Sequence, residues 1–427
     1  MLIQLLELMA ERTRWFIGFA QTRFLGAVAI LGAASAVSLI STMGLSMYAA
    51  RVLGVDEFGK FSIALAISYL ILSFVEFGLA PTVTREISIN PARLEIHLSS
   101  ACLLKAIISG LSLVVVAFLN YPMDIKIAIW GMSFYSIILS FVNLFSSVFQ
   151  AYERFNWMAA IKMEGVIKLV LGILILSGVK TVSGVVLAWV IAALLTILLC
   201  LLIYRWGIGP MHFHIDWENV KYVFIESSYL AIAYILWMAA TRQGTFILSL
   251  LKGVKEVAIY EAANQWVGLV STSVYALFAA VMFPKLAKLY VISKKQSQRL
   301  FERILVLVLL LGLMMAVVIS LFSEQIILLS VGPKFLNAAN VLRILIWGML
   351  FFNTIGLIGV ALNATGHQKM SLVIVTPPII IGGILGLVIT PHYSYVGMAV
   401  AMTLSWMITA VWGLFILYTK VFNINFC

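Results

Sequence analysis

Residues 305–320 read LVLVLLLGLMMAVVIS, a continuous apolar stretch without a charged side chain. Stretches of this kind recur along the whole chain. About 20 apolar residues span the hydrocarbon core of a bilayer as an α-helix, whereas a membrane β-strand alternates in polarity over about 10 residues. Within lipid, each backbone N–H and C=O group has to be paired inside its own helix or within a closed barrel. Because these stretches are continuous and not alternating, they predict an all-α integral membrane protein.

The composition of the 427-residue chain indicates the same class. Hydrophobic residues make up 63% of the chain and charged residues 11%, and the mean hydropathy is +1.10. Soluble domains are about half apolar and about one quarter charged, so a water-soluble fold of this length would expose too much apolar surface. The formal charge of +11 does not indicate a nucleic-acid partner, because the basic residues are scattered over many short loops. Cys102, Cys200 and Cys427 have no paired spacing, so they predict neither a disulfide framework nor a metal site.

Twelve apolar stretches predict transmembrane helices, and the amphipathic residues 1–23 predict either an interfacial helix or a frayed tail. The loops that share a side with the N-terminus carry most of the Lys and Arg residues, which the positive-inside rule assigns to the cytoplasm. We therefore expect both termini to be cytoplasmic. The predicted spans are 24–50, 59–80, 99–119, 125–150, 163–180, 183–204, 222–250, 256–280, 303–322, 338–362, 370–389 and 394–418.

A polar connection, residues 205–221, divides the predicted spans six and six. On either side of it lies one copy of a short repeat: GVDEFGKF at residues 54–61, the first repeat segment, and GVKEVAIY at residues 253–260, the second repeat segment. Two halves repeated in the same orientation are related by an axis along the membrane normal and leave a cleft between them. We therefore predict an N-terminal six-helix lobe at residues 1–204, a C-terminal six-helix lobe at residues 222–427 and a cytoplasmic linker between them.

No large hydrophilic domain interrupts the apolar stretches. A membrane glycosyltransferase needs such a domain to hold its acceptor and catalytic acids, and an ATP-driven pump needs a phosphate-binding loop of the form G-x-x-x-x-G-K-[ST]. The chain contains neither feature. We therefore predict a protein that is not an enzyme and has no catalytic residue, metal or cofactor. Its energy would come from a partner, an ion gradient or the membrane potential.

Polar side chains inside the spans are costly, so their position on a helix carries functional information. Polar residues on the eighth span recur at three- and four-residue steps, which places them on one helix face. That face comprises Glu261, Asn264, Ser271, Thr272 and Tyr275. The fourth span has a similar face with Ser136, Ser140, Asn143, Ser147 and Gln150. Such faces serve either helix packing or a wet cavity; the second interpretation makes Asn143, Asn264 and Tyr275 candidate substrate-binding residues.

Charged residues inside the spans refine this candidate site. Arg242 lies about two turns from the end of the seventh span, where an arginine has to face water, a carboxylate or an anionic ligand unless it reaches the headgroups. We expect Arg242 to bind the anionic part of a substrate. Lys105, near the other side of the bilayer, is expected either to help bind the anion or simply to reach the headgroups.

Carboxylates within the spans are candidates for coupling transport to an ion. Glu76 and Glu226 lie near helix ends, and Glu261 lies on the polar face of the eighth span. Each is either a proton or sodium ligand or an interfacial carboxylate. Glu164 and Lys168 are four residues apart, in the order that favours an ion pair on one helix face.

Several short segments follow one another in an order that resembles a known family. They are RVLGVDEFG at 51–59, FGLA at 77–80, TREI at 84–87, QAYERF at 150–155 and NATGHQK at 363–369. Together they resemble the polysaccharide-export flippases. These are the Wzx-type O-antigen and repeat-unit translocases of the multidrug/oligosaccharidyl-lipid/polysaccharide (MOP) exporter superfamily. The resemblance covers nearly the whole chain.

The resemblance implies a flippase with twelve helices in two lobes, in a bacterial inner membrane, working by alternating access from a cationic central cavity. The implied substrate is an undecaprenyl-diphosphate-linked oligosaccharide, moved from the cytoplasmic to the periplasmic leaflet. A polysaccharide polymerase and a chain-length regulator are the protein partners that it suggests. Three other functions stay open: a cation-coupled multidrug exporter of the same superfamily, a membrane-embedded glycosyl or acyl transferase, and a scaffold of a polysaccharide-assembly complex.

Overall fold

The structure, a computed structural model, describes residues 2–367 and 370–422. Its first half forms α1 (Leu2–Glu76), α2 (Leu79–Ile89), α3 (Leu94–Phe118), α4 (Met123–Ala151), α5 (Phe155–Lys162), α6 (Glu164–Gly178) and α7 (Val182–Gly207). The second half forms α8 (Trp217–Leu251), α9 (Val254–Ile292), α10 (Lys294–Leu321), α11 (Ser323–Ser330), α12 (Ala338–Ala364) and α13 (Met370–Ile416). The side chains that would define an interfacial face at residues 1–23 lie outside the described part, as does Cys427.

Two of the long helices contain a break within or directly beside a turn that the sequence predicts between spans. In α1 the break is at Gly54, with φ of 76°, and in α13 it is at Ser394, with φ of 51°. Gly253, directly before α9, has φ of 100° and repeats the extended ψ of Gly54. Positive φ is readily adopted only by glycine. The two repeat segments therefore begin with the same local conformation.

Eight of the described helices are long and apolar enough to cross a membrane. The prediction of an all-α integral membrane protein is confirmed, whereas the count of twelve spans and the cytoplasmic termini stay predictions. The connection between the halves is shorter than expected, because α7 continues to Gly207 and α8 begins at Trp217. The side chain of Asp216 accepts a hydrogen bond from the backbone N–H of Glu218 at 3.0 Å and so caps α8.

The apolar stretch at residues 305–320 forms most of α10 and has two apolar faces. One face packs against α9 and α12 and comprises Leu305, Val308, Gly312, Ala316 and Ile319. The opposite face is exposed and comprises Val306, Leu310, Met314 and Val318. An exposed apolar row of this length is too costly in water. It is the surface that a membrane helix presents to lipid.

The helices turn at two opposite ends of the bundle. One, the Gly54 end, contains the breaks at Gly54 and Ser394 and the turn at residues 252–253. The other, the linker end, contains the turn at residues 152–154 and the connection at residues 208–216.

At the Gly54 end the two halves contact each other. The guanidinium group of Arg51 donates hydrogen bonds to the carbonyl oxygens of Leu328 and Leu329 at the end of α11, at 3.0 and 2.7 Å. A cation is favourable there because the last carbonyls of a helix carry partial negative charge. The ring of Phe58 meets that of Phe335 edge to face, with centroids 5.6 Å apart and both side chains fully buried.

The two repeat segments contact each other at the same end. A Cβ atom at Gly59 would overlap the backbone of Val254, so only glycine allows this approach. Beside this contact, the ammonium group of Lys255 lies 3.8 Å from the carboxylate of Asp56. The first half is thus joined to the second by backbone packing and by charge.

At the linker end, α8 packs against α2 and α3 of the first half. Arg85 forms an ion pair with Glu226 at 3.0 Å, and the hydroxyl of Tyr222 donates to the carboxylate of Glu86 at 3.0 Å. These groups are exposed or near the surface. The N-terminal part of α8 is therefore held by the first half of the chain.

Candidate substrate-binding cavity

A cavity of about 370 Å³ lies between the two halves, with walls from α1, α7, α8, α9, α12 and α13. Its polar lining comprises Thr42, Ser46, Ser62, Tyr69, Thr241, Arg242, Glu261, Asn264, Gln265, Ser271 and Thr272. Its aromatic lining comprises Trp189, Trp237, Phe352 and Trp406. Ligand pockets in proteins have a similar combination of apolar walls and a few placed polar groups.

Arg242 lies in the wall of this cavity. Its guanidinium carbon is 4.3 Å from the centroid of the Tyr69 ring, a cation–π contact that joins the two halves. A terminal guanidinium nitrogen of Arg242 lies 3.8 Å from the carboxylate of Glu261. The Nε atom of Arg242 has no hydrogen-bond partner among the described residues. The Nε donor is buried and unpaired while the side chain as a whole is partly exposed, so the guanidinium has hydrogen-bonding capacity left for an anion.

Glu261 is held by neighbours on two helices. The hydroxyl of Thr245 on α8 donates a hydrogen bond to its carboxylate. The amide of Asn264, one turn further along α9, lies 3.4 Å from the same group. The Glu261 side chain is only 6% exposed. Arg242, Asn264 and Glu261, three predicted site residues, are therefore brought together in one place.

Further hydrogen-bonding groups face the cavity from the same helix as Glu261. The amide of Gln265 donates a 2.8 Å hydrogen bond to the hydroxyl of Ser46, which again joins α9 to α1. The hydroxyl of Ser271 is buried without a partner in the described structure. The side chain of Tyr275, another predicted site residue, lies outside the described part.

Lys105, Glu76 and Asn143 are also brought together, but they do not line the cavity. The ammonium group of Lys105 is fully buried and lies 3.0 Å from the Glu76 carboxylate. The Asn143 amide donates to the other oxygen of that carboxylate at 2.7 Å. The expectation that Lys105 reaches the headgroups is wrong, because α1 supplies its counter-charge within the first half. Each of the three groups is already paired.

The remaining charged candidates lie elsewhere. Glu226 belongs to the exposed ion pair with Arg85 at the linker end. The predicted pair of Glu164 and Lys168 is confirmed, with 3.0 Å between the charged groups. The Lys168 ammonium also lies 4.4 Å from the ring centroid of Trp189, whose ring is part of the cavity wall. The buried ammonium group of Lys168 thus packs against a side chain of the cavity wall.

The aromatic lining and Gln265 are the parts of the site that the sequence interpretation missed. In a chain so rich in apolar residues, Trp237 and Trp406 do not differ in pattern from lipid-facing or core residues. Trp237 and Thr241 do lie on one helix face, four residues apart and directly before Arg242, and this was the available signal.

The fold is shared with solved structures of a flippase and of a multidrug transporter. The structure matches the inward closed conformation of the lipid II flippase MurJ with a TM-score of 0.75 and 16% identity, over 92% of this chain and 89% of that one. It matches an inward-facing multidrug resistance MATE family transporter of the MOP superfamily with a TM-score of 0.66 and 14% identity, over 90% and 93% of the two chains. The fold is therefore that of the MOP exporters, a class of multi-pass membrane transporters.

The sequence comparisons identify the family within this class. The chain is 24% identical to a candidate O-antigen transporter of Shigella flexneri over 347 residues, which are 77% of this chain and 81% of that protein. It belongs to the polysaccharide biosynthesis protein family, whose model matches residues 25–290. The resemblance to flippase-type transporters of the MOP superfamily that the short motifs predicted is thereby confirmed.

Proposed function

We propose that this protein flips undecaprenyl-diphosphate-linked oligosaccharide repeat units from the cytoplasmic to the periplasmic leaflet of a bacterial inner membrane. The observation that carries the proposal is the position of Arg242, a cation with an unpaired Nε donor in the wall of a central cavity between the two halves. The family supports a polysaccharide-related cargo. A polysaccharide polymerase that consumes the flipped unit, and a chain-length regulator, are the protein partners that this function requires.

The cavity suits the separate parts of such a substrate. A glycan cannot cross hydrocarbon unaided, because each unpaired hydroxyl costs several kcal/mol in an apolar phase. The hydroxyl and amide groups of the lining can replace its water, whereas the polyprenyl tail remains in lipid. Arginine binds phosphate oxygens with two parallel hydrogen bonds. We assign the diphosphate to Arg242 and the sugars to Asn264, Gln265 and the aromatic walls.

Alternating access requires that the two halves move relative to each other. We propose that these halves correspond to the lobes at residues 1–204 and 222–427. In the predicted orientation the Gly54 end faces the periplasm. The arrangement described above is therefore closed on the periplasmic side, and opening would separate Arg51 from α11 and Phe58 from Phe335.

The driving force comes either from a cation or from the membrane potential. Of the three candidate carboxylates, Glu261 lies in the cavity, whereas Glu76 is neutralised by Lys105 and Glu226 by Arg85. Glu261 is therefore the best placed to couple transport to a cation. The potential alone is worth about 2.3 kcal/mol per charge per 100 mV.

The proposal is tested with purified protein in liposomes that contain a fluorescently labelled lipid-linked oligosaccharide. The wild type should expose the label to an impermeant quencher, and Arg242→Ala should lower the rate at least about tenfold, since a lost charged hydrogen bond is worth about 1.5–3 kcal/mol. Arg299→Ala, which removes an exposed arginine at the linker end, is the matched control. Unchanged flipping by a folded Arg242→Ala protein would remove this residue from the site.

A cation-coupled multidrug exporter is the second candidate, favoured by the carboxylate of Glu261 within an aromatic-walled cavity. An organic cation would bind to Glu261 and be repelled by Arg242. Expression in a drug-sensitive host separates the two functions. Raised resistance to cationic drugs without flipping of the glycolipid would favour the exporter.

A further inference from the structure

Arg242 and Glu261 oppose each other in the same cavity, although a cationic site for a polyanion has no evident need of a carboxylate. The separation of 3.8 Å is too long for a hydrogen bond. It is short enough for strong attraction between unit charges in a cavity with apolar walls. Thr245 donates a hydrogen bond to Glu261 and the Asn264 amide lies beside it, so that the carboxylate is held next to Arg242.

This geometry adds a fixed cost to the binding of any anion at Arg242. To turn its donors toward a ligand, the guanidinium has to give up part of its attraction to Glu261, and the ligand then lies near a second negative charge. The cost of the first step is the same for every ligand. A ligand bound to Arg242 is nearer to the guanidinium than to Glu261, so the attraction exceeds the repulsion. This net gain rises with the charge of the ligand and with the number of oxygens that can meet the guanidinium nitrogens.

A fixed cost of anion binding at Arg242 is useful because the surrounding membrane contains competing anionic lipids. Bacterial bilayers contain monoanionic phospholipids in great excess over any lipid-linked sugar. A site that can admit a phosphate on a lipid tail is exposed to both. Specificity against an abundant competitor often depends on a repulsive element and not only on contacts with the correct ligand.

We propose that Glu261 keeps monoanionic phospholipids out of the cavity, by holding Arg242 with an attraction that a doubly charged diphosphate headgroup overcomes. This inference rests on the proposed function and names a specificity-determining residue for it. Glu261 acts here through its negative charge and through Arg242, and it does not itself bind the substrate.

The test compares flipping of the labelled lipid-linked oligosaccharide in vesicles of phosphatidylcholine alone and in vesicles with one third phosphatidylglycerol. The wild type should flip at similar rates in both. Glu261→Gln should flip about tenfold more slowly in the phosphatidylglycerol vesicles than in phosphatidylcholine, a change that corresponds to about 1.4 kcal/mol of competing affinity. Glu324→Gln, which removes an exposed carboxylate at the Gly54 end, should behave like the wild type.

Native mass spectrometry provides a readout that does not depend on transport. Glu261→Gln protein extracted from phosphatidylglycerol-containing membranes should carry bound phosphatidylglycerol, and the Arg242→Ala/Glu261→Gln protein should not. A Glu261→Gln protein that flips equally well in both vesicles, beside an active wild type, overturns the inference and leaves the proposed function standing. A wild type that flips no glycolipid in either vesicle overturns both.

Discussion

The side-chain amide of Gln243 donates a 2.8 Å hydrogen bond to the carbonyl oxygen of Pro378, so that α8 is joined to α13 at the residue next to Arg242. The hydroxyl of Ser405 donates to the same oxygen at 3.1 Å. A Cβ atom at Gly382 would overlap the Gln243 side chain, so the helices are in close contact here. α13 remains helical through its paired prolines and has its break at Ser394. The orientation of Arg242 therefore depends on packing against a helix that does not itself carry a charged site residue.

Gln243→Leu should destabilise the protein and misplace Arg242. The substitution removes a buried hydrogen bond, which costs about 0.5–1.5 kcal/mol, and places an apolar side chain against a carbonyl that then accepts only from Ser405. The thermal unfolding midpoint in detergent should fall, and glycolipid flipping should fall with it. Ser405→Ala should have a smaller effect, because it removes the longer of the two hydrogen bonds, at 3.1 Å, and leaves the 2.8 Å bond from Gln243. Equal midpoints for Gln243→Leu and the wild type would contradict the prediction.

Lys105→Met should lower the stability of the protein more than Lys105→Met/Glu76→Gln, which removes both members of the ion pair. Removing the lysine leaves the Glu76 carboxylate as an uncompensated charge, which costs about 3–5 kcal/mol. The Lys105→Met/Glu76→Gln protein has no such charge and should recover much of the stability. Thermal unfolding and yield after extraction measure both effects. If the double variant is no more stable than the single one, the pair does not act as a neutralising unit.

Holding the Gly54 end closed should stop transport. In a background without native cysteines, Asp56→Cys and Lys255→Cys can be bridged with a short bismaleimide, which ties the first half to the second. Flipping should be lost after bridging and unaffected before it. The control pair Lys60→Cys and Asp124→Cys lies within the first half, where the native groups are 2.5 Å apart. Bridging the control pair should leave flipping intact; a similar loss there would show that the bridge acts by distortion.

Arg51→Ala should favour the state that is open at the Gly54 end. The variant loses the hydrogen bonds to the end of α11, and no other group replaces them in the described structure. We expect Thr42→Cys, within the cavity wall, to react faster with an impermeant maleimide added from the periplasmic side in the Arg51→Ala background. Lys126→Ala provides a matched control, since it removes a partly exposed cation from the start of α4 at the same end. Equal labelling rates in both backgrounds would exclude a role for Arg51 in closure.

Most of the long helices were predictable from the sequence to within a few residues, because the apolar stretches are separated by short polar turns. The adjoining ends of α9 and α10, at Ile292 and Lys294, lie well beyond the predicted spans 256–280 and 303–322, and the short helices α2, α5 and α11 were not predicted. The break at Gly54 lies in a predicted turn, and the break at Ser394 lies at the first residue of the last predicted span. The long-range packing was not predictable. Nothing in the local pattern of α3 shows that Lys105 meets Glu76, since this pair depends on how α1 and α3 pack.

The candidate site was predictable where a polar residue interrupts an apolar helix. Arg242, Asn264 and Glu261 were found for this reason, and they lie together. The aromatic walls were not found, because tryptophan and phenylalanine are equally suited to lipid, core and cavity. The support of Trp189 by Lys168 was missed for a related reason: a cation–π contact leaves no periodic signal in the sequence.

The contact between the two repeat segments brings together residues of opposite charge. Asp56 and Lys255 are each the third residue of their segment, so they occupy equivalent positions in the two repeat segments and lie 3.8 Å apart. In a dimer of two identical half-length chains, residues at equivalent positions beside the dimer axis would be the same and would carry like charges. Joining the halves in one polypeptide allows one copy to keep an acid and the other a base. The contact would be repulsive between two identical chains, and it is attractive between the two halves of this chain.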